Sequence, residues 1–374
     1  MTIADVIHER GPLTVAAFME LALYDAEFGY YARAAQRSGR TGDFFTSVDV
    51  GSLFGELLEV QLAEMCRVTA KTSSSVSSFD LVEAGAGNGR LSADILRAAK
   101  RRDRAFYDSI RLHLVEASAE ARLAQRATLG DVAERIAASN AALPDSFEGV
   151  LIANELIDAL PVHQVVMRQD GLKEVYVRLA TADCRLMTVE GPLSTPALAE
   201  YLDRLGVTLE PGWRAEINLR AVEWIRDAAR RLRRGFIILI DYGHDARELY
   251  SPAHSTGTLT TFVKHRSGGP EGTPGTPAWL QHPGHQDLTA HVDFTSIRSA
   301  AEAEGLNTLG FLDQTYFLMG LLEGLPDPQA ALRNPQLKTL ILPGGIGSTH
   351  KVLILGKAVG APALRGLSFR VRAT

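Results

Sequence analysis

A glycine turn near residue 85 carries the strongest chemical signal in the sequence. The apolar segment FDLVEA is followed by Gly85, Gly87 and Gly89, and then by the helical segment LSADILRAAKRR. Glycines let the backbone approach a ligand closely, and free N–H groups at a helix start favour a carboxylate or phosphate. A dinucleotide fingerprint would have its third glycine where Arg90 stands, so the spacing favours S-adenosylmethionine over NAD. The competing interpretation is a tight strand-to-helix connection without a ligand.

Two acids at strand ends strengthen the cofactor prediction. The segment LHLVE ends in Glu116, and an acid in this position accepts hydrogen bonds from both ribose hydroxyls. The competing interpretation of Glu116 is a solvated carboxylate. Glu83, at the end of the first strand, is expected either to receive the methionine amino group or to brace the glycine turn.

A polar segment after a later strand supplies the candidates for catalysis. The strand GVLIANE runs into LIDALP, which places Asn154, Glu155 and Asp158 at the carboxyl edge of a parallel sheet, where ligands bind. A guanidinium acceptor is fully protonated at neutral pH, and a carboxylate pair would orient it and help remove a proton. We expect Glu155 and Asp158 to act in this way and Asn154 to position the acceptor nitrogen. The other interpretation is that Asp158 caps the next segment and Asn154 ties down the loop.

Further polar side chains follow two other strand candidates. The strand GFIILI ends in Asp241 and Tyr242, and the segment DLTAHVDF carries His291, so we predict that these three residues bind the substrate. No metal is expected. The histidines from His254 to His291 show no i, i+4 pair on a helix and stand among glycines and prolines.

The elements that must position these residues alternate between strand and helix. Continuous apolar strands separated by helices indicate a doubly wound parallel sheet, an α/β fold of the Rossmann-like type. Residues 1–78 are predicted to be helical with a long aromatic loop, and residues 79–160 and 221–374 to form the two parts of the sheet domain. Residues 161–220 alternate in the manner of an antiparallel β-rich insertion. The Gly/Pro-rich stretch 267–283 is expected to be a mobile loop.

Composition excludes several classes of protein. The 374 residues are 46% hydrophobic and 22% charged, which is typical of a globular chain and not of a disordered one. A formal charge of −5 gives no global basic field, so neither nucleic acid nor a membrane surface is expected as a partner. Cys66 and Cys184 have no metal or redox spacing, and no secretory leader or membrane span is recognisable. We therefore expect a bacterial cytoplasmic protein, with a homodimer left open.

The motifs together resemble those of a known family. The MidA family of class I S-adenosylmethionine-dependent methyltransferases has the same motifs in the same order, and the resemblance covers nearly the whole chain: GPLTVAAFMELALYDAEFGYYAR, GRTGDFFTS, EAGAGNGR, HLVEAS, ANELIDALPVHQ, LIDYGH and DLTAHVDF. The family includes the mitochondrial protein-arginine methyltransferase that assists assembly of respiratory complex I. The resemblance therefore implies S-adenosylmethionine as cofactor and arginine methylation of a protein, with a respiratory complex subunit among the expected partners.

The resemblance also implies roles for individual residues. The loop from Gly42, Asp43 and Phe44 to Thr46 and Ser47 would fold over the cofactor. The glycine turn would line it, Glu116 would hold its ribose, and Asn154 and Glu155 would face the methyl group. Where the family commonly has T-S-P-E, this chain has TSVD at 46–49, and a long Gly/Pro-rich insertion precedes DLTAHVDF. The cofactor site is therefore expected to follow the family more closely than the acceptor site.

Two other functions compete with the methyltransferase. One is an NAD-dependent oxidoreductase, which Arg90 disfavours because it replaces the third glycine. The other is a non-catalytic assembly factor that binds a partner protein through the β-rich insertion and uses the cofactor only structurally.

Overall fold

The fold is built around a mixed eight-stranded sheet. It is seen in a computed structural model that describes residues 2–32, 46–71, 78–180, 185–263, 266–267, 277–342 and 346–369. The strands are β1 Leu13–Thr14, β2 Phe79–Ala84, β3 Ile110–Val115, β4 Ile136–Asn140, β5 Phe147–Asn154, β6 His163–Arg168, β7 Gly171–Leu179, β8 Leu186–Gly191, β9 Arg214–Ile217, β10 Leu232–His244, β11 Thr260–Val263, β12 Arg266–Ser267, β13 Asp287–Thr289, β14 Val292–Asp293, β15 Asn307–Asp313 and β16 His350–Lys357.

Helices cover both faces of this sheet and form most of the N-terminal region. They are α1 Ile3–Arg10, α2 Val15–Tyr24, α3 Ser47–Val50, α4 Leu53–Lys71, α5 Arg90–Arg102, α6 Arg104–Ser109, α7 Ala119–Leu129, α8 Ala197–Leu205, α9 Leu219–Arg231, α10 Ala246–Leu249, α11 Phe294–Ala303, α12 Gln314–Leu322, α13 Pro328–Arg333, α14 Pro335–Ile341 and α15 Ile346–Thr349. Among these described helices, none is long and apolar enough to cross a membrane.

The strand order places a ligand-binding crevice at the middle of the large sheet. The order is β15, β16, β10, β5, β2, β3, β4, with β14 paired to the end of β10. Strands β4, β3, β2, β5 and β10 are parallel, whereas β16 is antiparallel to both of its neighbours. The chain proceeds outward from β2 on one side and returns to its other side at β5. Ligands bind at such a topological switch point, outside the carboxyl ends of the strands.

Alternation along β10 shows why the sheet needs cover on both faces. Ile238 and Ile240 belong to a core that contains Phe54 of α4, while Ile237 and Leu239 belong to a second core with residues of α9 and α11. Because successive strand residues point to opposite faces, a run of apolar residues is buried only between two helical layers. The predicted doubly wound α/β fold is confirmed.

The predicted β-rich segment forms a second, antiparallel sheet. Its order is β1, β7, β6, β9, with β8 added on β7. Strand β1 has only two residues and comes from the N-terminal region, where Leu13 pairs with Val177. Phe18 and Met19 of α2 pack in one core with Val166 and side chains of β7. The N-terminal helices are therefore joined to the insertion, which strand-length patterns do not predict because β1 is so short.

Later segments depart from the simple alternation. Strands β11, β12 and β13 form a small antiparallel sheet, and DLTAHVDF divides into β13 and β14. Of the stretch 267–283 expected to be a mobile loop, residues 268–276 lie outside the described residues, whereas Ala278–Leu280 form a 3-10 turn in which Trp279 is buried in the core with Phe18.

Candidate cofactor and acceptor site

A cavity of about 480 Å³ opens at the carboxyl edge of β2, β3 and β5. This volume lies within the range of small-molecule sites. Its walls come from α2, the start of α3, the glycine turn, the segment after β3, residues 154–161 and helix α9. The topological switch point of the sheet is thus lined by residues from both the N-terminal region and the sheet domain.

The glycine turn presents open backbone to this cavity. Gly85 and Gly87 line it with φ values of 73° and 50°, and a Cβ atom on Gly87 would meet nothing within 4 Å. The carbonyl oxygen of Gly87 accepts a hydrogen bond of 2.8 Å from Nε2 of Gln125. Gly89 does not line the cavity; a Cβ there would come within 2.7 Å of Leu129. The first two predicted glycines therefore form a cradle, and the third is required for helix packing.

Glu116, for which ribose binding stays a prediction, lies beside this cradle. Its Oε2 accepts a hydrogen bond of 2.8 Å from the N–H of Gly87, and its Oε1 accepts one of 2.8 Å from the N–H of Ser118. The carboxylate lines the cavity and joins the ends of β2 and β3. It is positioned by backbone amides, and each oxygen retains a lone pair for a hydroxyl donor.

Glu83 braces the helix that follows the glycine turn. Its Oε2 accepts hydrogen bonds from the amide, at 3.2 Å, and from the hydroxyl of Ser92 in α5. Burial raises the pKa of Glu83 to about 7, although the hydrogen bonds from Ser92 partly offset this rise. The bracing interpretation is therefore seen directly. Contact with a methionine amino group stays a prediction, although Glu83 lines the cavity.

The start of α3 closes one side of the cavity. Oδ2 of Asp49 accepts hydrogen bonds from the amide and hydroxyl of Thr46, at 3.1 and 3.0 Å, and Asp49 also forms an ion pair of 2.6 Å with Arg90. Arg90 donates a second hydrogen bond, of 3.1 Å, to the carbonyl oxygen of Val48. Residues 48 and 49, where the sequence departs from the family pattern, thus contact the first residue of α5. Thr46 lines the cavity and Ser47 does not, and the predicted lid residues Gly42, Asp43 and Phe44 lie outside the described residues.

Glu155 connects three elements around the cavity, α3, β5 and β10. Its backbone has a φ of 50°, unusual for a residue with a side chain, and its N–H donates to the carbonyl oxygen of Ile240 at 2.8 Å. Its Oε1 accepts hydrogen bonds from the amide of Ser47 at 3.1 Å and from Nδ2 of Asn154 at 3.3 Å. Its Oε2 accepts one of 3.2 Å from the hydroxyl of Tyr242. The strained backbone turns this carboxylate toward the cavity that it lines.

Asn154 has a buried acceptor without a partner. Its Oδ1 makes no hydrogen bond to any residue that the structure describes, while its Nδ2 is held by Glu155. A buried polar atom normally has a partner, and Asn154 lines the cavity. This oxygen is therefore suited to receive a hydrogen bond from a bound ligand.

Buried acids lie behind the loop that follows β5. Oδ2 of Asp241 accepts hydrogen bonds of 3.2, 2.8 and 3.4 Å from the amides of residues 156–158. Burial raises the pKa of Asp241 to about 7, and burial followed by neighbouring carboxylates raises the pKa of Asp158 well above its usual range. Oδ1 of Asp158 has no hydrogen-bond partner among the described residues. Neither acid lines the cavity, so both act on it from behind the wall.

The three predicted substrate-binding residues are also set back from the cavity lining. Asp241 organises the loop of residues 156–158, and Tyr242 contacts Glu155. His291 lies instead beside His244 and His254, and burial followed by these two neighbours lowers its pKa to about 4. The contacts give Asp241 and Tyr242 positioning roles, and direct substrate binding by any of the three stays a prediction. The histidine cluster was not predicted from spacing, because its members come from three separate segments.

Several lining residues were missed by the sequence interpretation. Tyr24 and Tyr31 line the cavity with ring centroids 5.4 Å apart, and Glu20 lies on the same helix as Tyr24. Arg220 and Trp224 reach it from α9. The aromatic content of LYDAEFGYYAR was a signal for the tyrosines, but no local pattern distinguishes Arg220 and Trp224 from other residues of an amphipathic helix.

Solved structures with the same architecture include one that carries a product of methyl transfer. A COG1565 superfamily member from Burkholderia thailandensis, bound to S-adenosyl-homocysteine, is 29% identical with a TM-score of 0.84, covering 98% of this chain and 93% of that one. A native crystal structure of a COG1565 superfamily protein from the same organism is 28% identical with a TM-score of 0.81, covering 98% and 92%.

Curated relatives extend over most of the chain. "Protein arginine methyltransferase NDUFAF7, mitochondrial" of Mus musculus is 32% identical over 340 residues, covering 84% of this chain and 72% of the relative. The Drosophila melanogaster homologue is 29% identical over 399 residues, covering 96% and 84%. Residues 57–312 match the model of the family Methyltransf_28. The chain therefore belongs to this family of S-adenosyl-L-methionine-dependent methyltransferases.

Proposed function

We propose that this methyltransferase modifies a guanidino nitrogen of arginine in a protein substrate. The main observation behind this proposal is that one end of the cavity is acidic and aromatic. Glu155 lines the cavity there, and Asp158 and Asp241 are buried behind the cavity wall. The curated relatives named protein arginine methyltransferase support the same acceptor.

The cofactor end fits S-adenosylmethionine by its donors and acceptors. Gly87 leaves the backbone open, Glu116 offers carboxylate oxygens beside it, and Asn154 has a buried oxygen without a partner. When bound, the cofactor supplies a methyl group on a positively charged sulfur, which a nitrogen lone pair accepts. The chain's own contribution is to hold that nitrogen in line at about 3 to 3.5 Å from the carbon, because catalysis of such a transfer comes mainly from alignment.

Charge at the acceptor end favours a cationic side chain. Burial, followed by neighbouring carboxylates, raises the pKa values of Asp158 and Asp241 and so disfavours their ionised forms, which a positive charge brought close to them would stabilise. Arginine meets this condition at all relevant pH values, and its planar guanidinium also packs on aromatic rings such as those of Tyr24 and Tyr31. The acceptor end therefore combines the two features that bind a guanidinium.

Glu155 is the proposed catalytic carboxylate. A guanidinium becomes nucleophilic only as it loses a proton, and Glu155 is the acid on this wall that can take it. Its hydrogen-bond donors among the described residues, two amides and a hydroxyl, are neutral groups that a charged guanidinium N–H replaces favourably, and Nε2 of His350 lies 3.4 Å from Oε1. Asp158 and Asp241 then act through electrostatics and loop position, without contacting the reacting atoms.

A second candidate function rests on the same contacts. Because both oxygens of Glu155 are already engaged by the protein, the carboxylate is equally suited to hold the lid and the strands together. This favours the non-catalytic S-adenosylmethionine-binding assembly factor as the alternative. A respiratory complex subunit as the partner, a homodimer and a bacterial cytoplasmic location stay predictions.

The test combines transfer and binding in one set of variants. Bacterial lysate is incubated with radiolabelled S-adenosylmethionine and the purified chain, and the labelled protein is digested for mass spectrometry. We expect the labelled residue to be methylarginine. The rate of transfer should fall by about 100-fold or more in Glu155→Gln, as expected for removal of a general base. The affinity of this variant for the cofactor, measured by calorimetry, should stay within a few fold of the wild-type value. The matched control is Glu323→Gln, an exposed acid that does not line the cavity.

Each outcome of this test has a defined meaning. Label on another residue type would overturn the arginine assignment while leaving the methyltransferase intact. Cofactor binding without labelling of any protein would support the assembly factor. Full transfer by Glu155→Gln would remove Glu155 from the catalytic role.

A further inference from the structure

Three histidines from separate segments converge beside the end of β10. His244 is the last residue of β10, His254 ends a short 3-10 turn, and His291 precedes β14. One potential ligand nitrogen from each ring lies within 4.8 Å of the other two. The ring centroids are 4.8, 5.3 and 5.7 Å apart. All three side chains are half-buried.

Backbone contacts hold these segments in place. Strands β10 and β14 pair in parallel, with Gly243 opposite Val292 and His244 opposite Asp293. The N–H of His291 donates a hydrogen bond of 3.1 Å to Oγ1 of Thr258. The convergence therefore results from strand pairing and loop hydrogen bonds, and it does not depend on the rings themselves.

One glutamate lies beside two of the rings. Nδ1 of His244 lies 3.1 Å from Oε1 of Glu248 but does not have hydrogen-bond geometry there, whereas Nδ1 of His254 forms a hydrogen bond of 3.0 Å with the carbonyl oxygen of the same Glu248. A hydrogen donated from Nδ1 leaves Nε2 with its lone pair, and metal-binding histidines are commonly held in this way by a carboxylate or carbonyl. Nδ1 of His291 is buried without a hydrogen-bond partner among the described residues. Each ring thus retains a nitrogen for a ligand bond.

The spacing matches that of a known coordination geometry. Three imidazoles bound at about 2.0 Å to a tetrahedral Zn²⁺ ion have ring centroids roughly 5 Å apart. The observed separations of 4.8 to 5.7 Å lie around this value. Imidazole nitrogen is a ligand for Zn²⁺, Cu²⁺, Ni²⁺ and Co²⁺, whereas Mg²⁺ and Ca²⁺ prefer oxygen.

We propose that His244, His254 and His291 bind a divalent transition-metal ion, with Zn²⁺ as the physiological choice. The ion ties the end of β10 to the 3-10 turn and to the start of β14. Because β10 also carries Asp241 and Tyr242, the metal stabilises the strand end that positions Glu155. Its role is structural, and it does not depend on which acceptor the enzyme methylates.

The main test measures metal binding by untagged, chelator-treated full-length protein. We expect one Zn²⁺ per chain by calorimetry, with a Kd on the order of 1 μM or tighter, and a melting temperature that rises with Zn²⁺ and falls with EDTA. His254→Ala and His291→Ala should weaken binding by about 100-fold or more, and Glu248→Gln by about tenfold through the outer shell. The matched control His8→Ala removes an exposed histidine of α1 and should bind normally.

A spectroscopic measurement on the wild type keeps the test independent of variant folding. Co²⁺ in place of Zn²⁺ should give the intense visible absorption of a tetrahedral ion, and added Zn²⁺ should abolish it. Equal Zn²⁺ affinity in the wild type and the folded histidine variants would overturn the proposal. So would the absence of the tetrahedral Co²⁺ spectrum.

Discussion

Nη1 of Arg90 lies 2.6 Å from Oδ1 of Asp49, and this ion pair joins the helix after the glycine turn to the short helix α3. The carboxylate is almost fully buried, with a side-chain exposure of 1%, whereas the guanidinium is partly exposed. Arg90 occupies the position at which a dinucleotide-binding turn would have glycine. In this fold the residue therefore both departs from the dinucleotide pattern and fastens one wall of the cofactor cavity.

Removal of this charge should loosen the cofactor site. We expect Arg90→Gln to raise the Kd for S-adenosylmethionine by about tenfold, because Asp49 is left as a buried carboxylate without its cation. Calorimetry checks the value. The matched control is Arg104→Gln, which breaks an exposed ion pair with Asp108 on the surface. Equal affinities in the two variants would show that the ion pair does not position the wall.

A side chain at Gly87 should block the cofactor. The Cβ of Gly87→Val would project into open cavity space, so we expect calorimetry to detect no binding of S-adenosylmethionine. Gly206→Val is the matched control, since Gly206 has a φ of 63° and equally open surroundings but does not line the cavity. Both variants should lose about 1–2 kcal/mol of stability from the left-handed backbone. If folded Gly87→Val still binds the cofactor, the hypothesis that the cofactor packs against the backbone of Gly87 is wrong.

Glu116 should contribute to cofactor affinity by accepting hydrogen bonds from the ribose hydroxyls. Glu116→Gln is expected to raise the Kd for S-adenosyl-homocysteine by roughly 10- to 100-fold, which corresponds to the usual free-energy contribution of hydrogen bonds to a charged group. The exposed acid Glu120 supplies the control Glu120→Gln. A ligand analogue without ribose hydroxyls separates the two roles of Glu116. If the variant loses as much affinity for this analogue as for the parent ligand, Glu116 acts only by holding Gly87.

Burial of Glu83 should make stability depend on pH. Its folded pKa of about 7 lies above the ordinary value of 4.5, so its protonated form is favoured in the fold. The stabilisation is fully present below about pH 4.5 and is lost as pH rises to about 7, a change of roughly 3 kcal/mol.

Urea unfolding at several pH values tests this dependence. Glu83→Gln cannot ionise, so its free energy of unfolding should rise relative to the wild type between pH 5 and pH 8. The exposed variant Glu323→Gln should track the wild type throughout. A difference between Glu83→Gln and the wild type that stays constant with pH would contradict the raised pKa.

Local patterns predicted the sheet and the cofactor cradle. Apolar strands alternating with helices specify a doubly wound sheet because each strand must be covered on both faces. The glycine turn and Glu116 each follow a strand directly, Asn154 is the last residue of β5, and the carboxyl ends of parallel strands meet at one edge. Residues that are adjacent to strand ends therefore reach the site by topology alone.

The proposed acceptor site was only partly predictable. Glu155 was recognised as a polar residue after β5, but its contacts with Ser47 and Tyr242 join residues 108 and 87 positions apart in the chain. Tyr24 and Tyr31 reach the cavity because the N-terminal helices pack on the β-rich insertion. Such contacts follow from the packing of one segment on another, which no local pattern records.

The sequence by itself determined the fold class and the cofactor, and it predicted which strand ends line the cavity, because short-range periodicity and glycine placement decide local conformation. Only the tertiary structure decided that Arg90 holds α3, that Asp158 and Asp241 lie behind the cavity wall, and that three histidines meet beside β10. These relationships depend on strand order, burial and the convergence of distant segments. They arise only when the whole chain packs into one structure, because packing brings distant polar groups within contact distance and excludes the water that would otherwise solvate them.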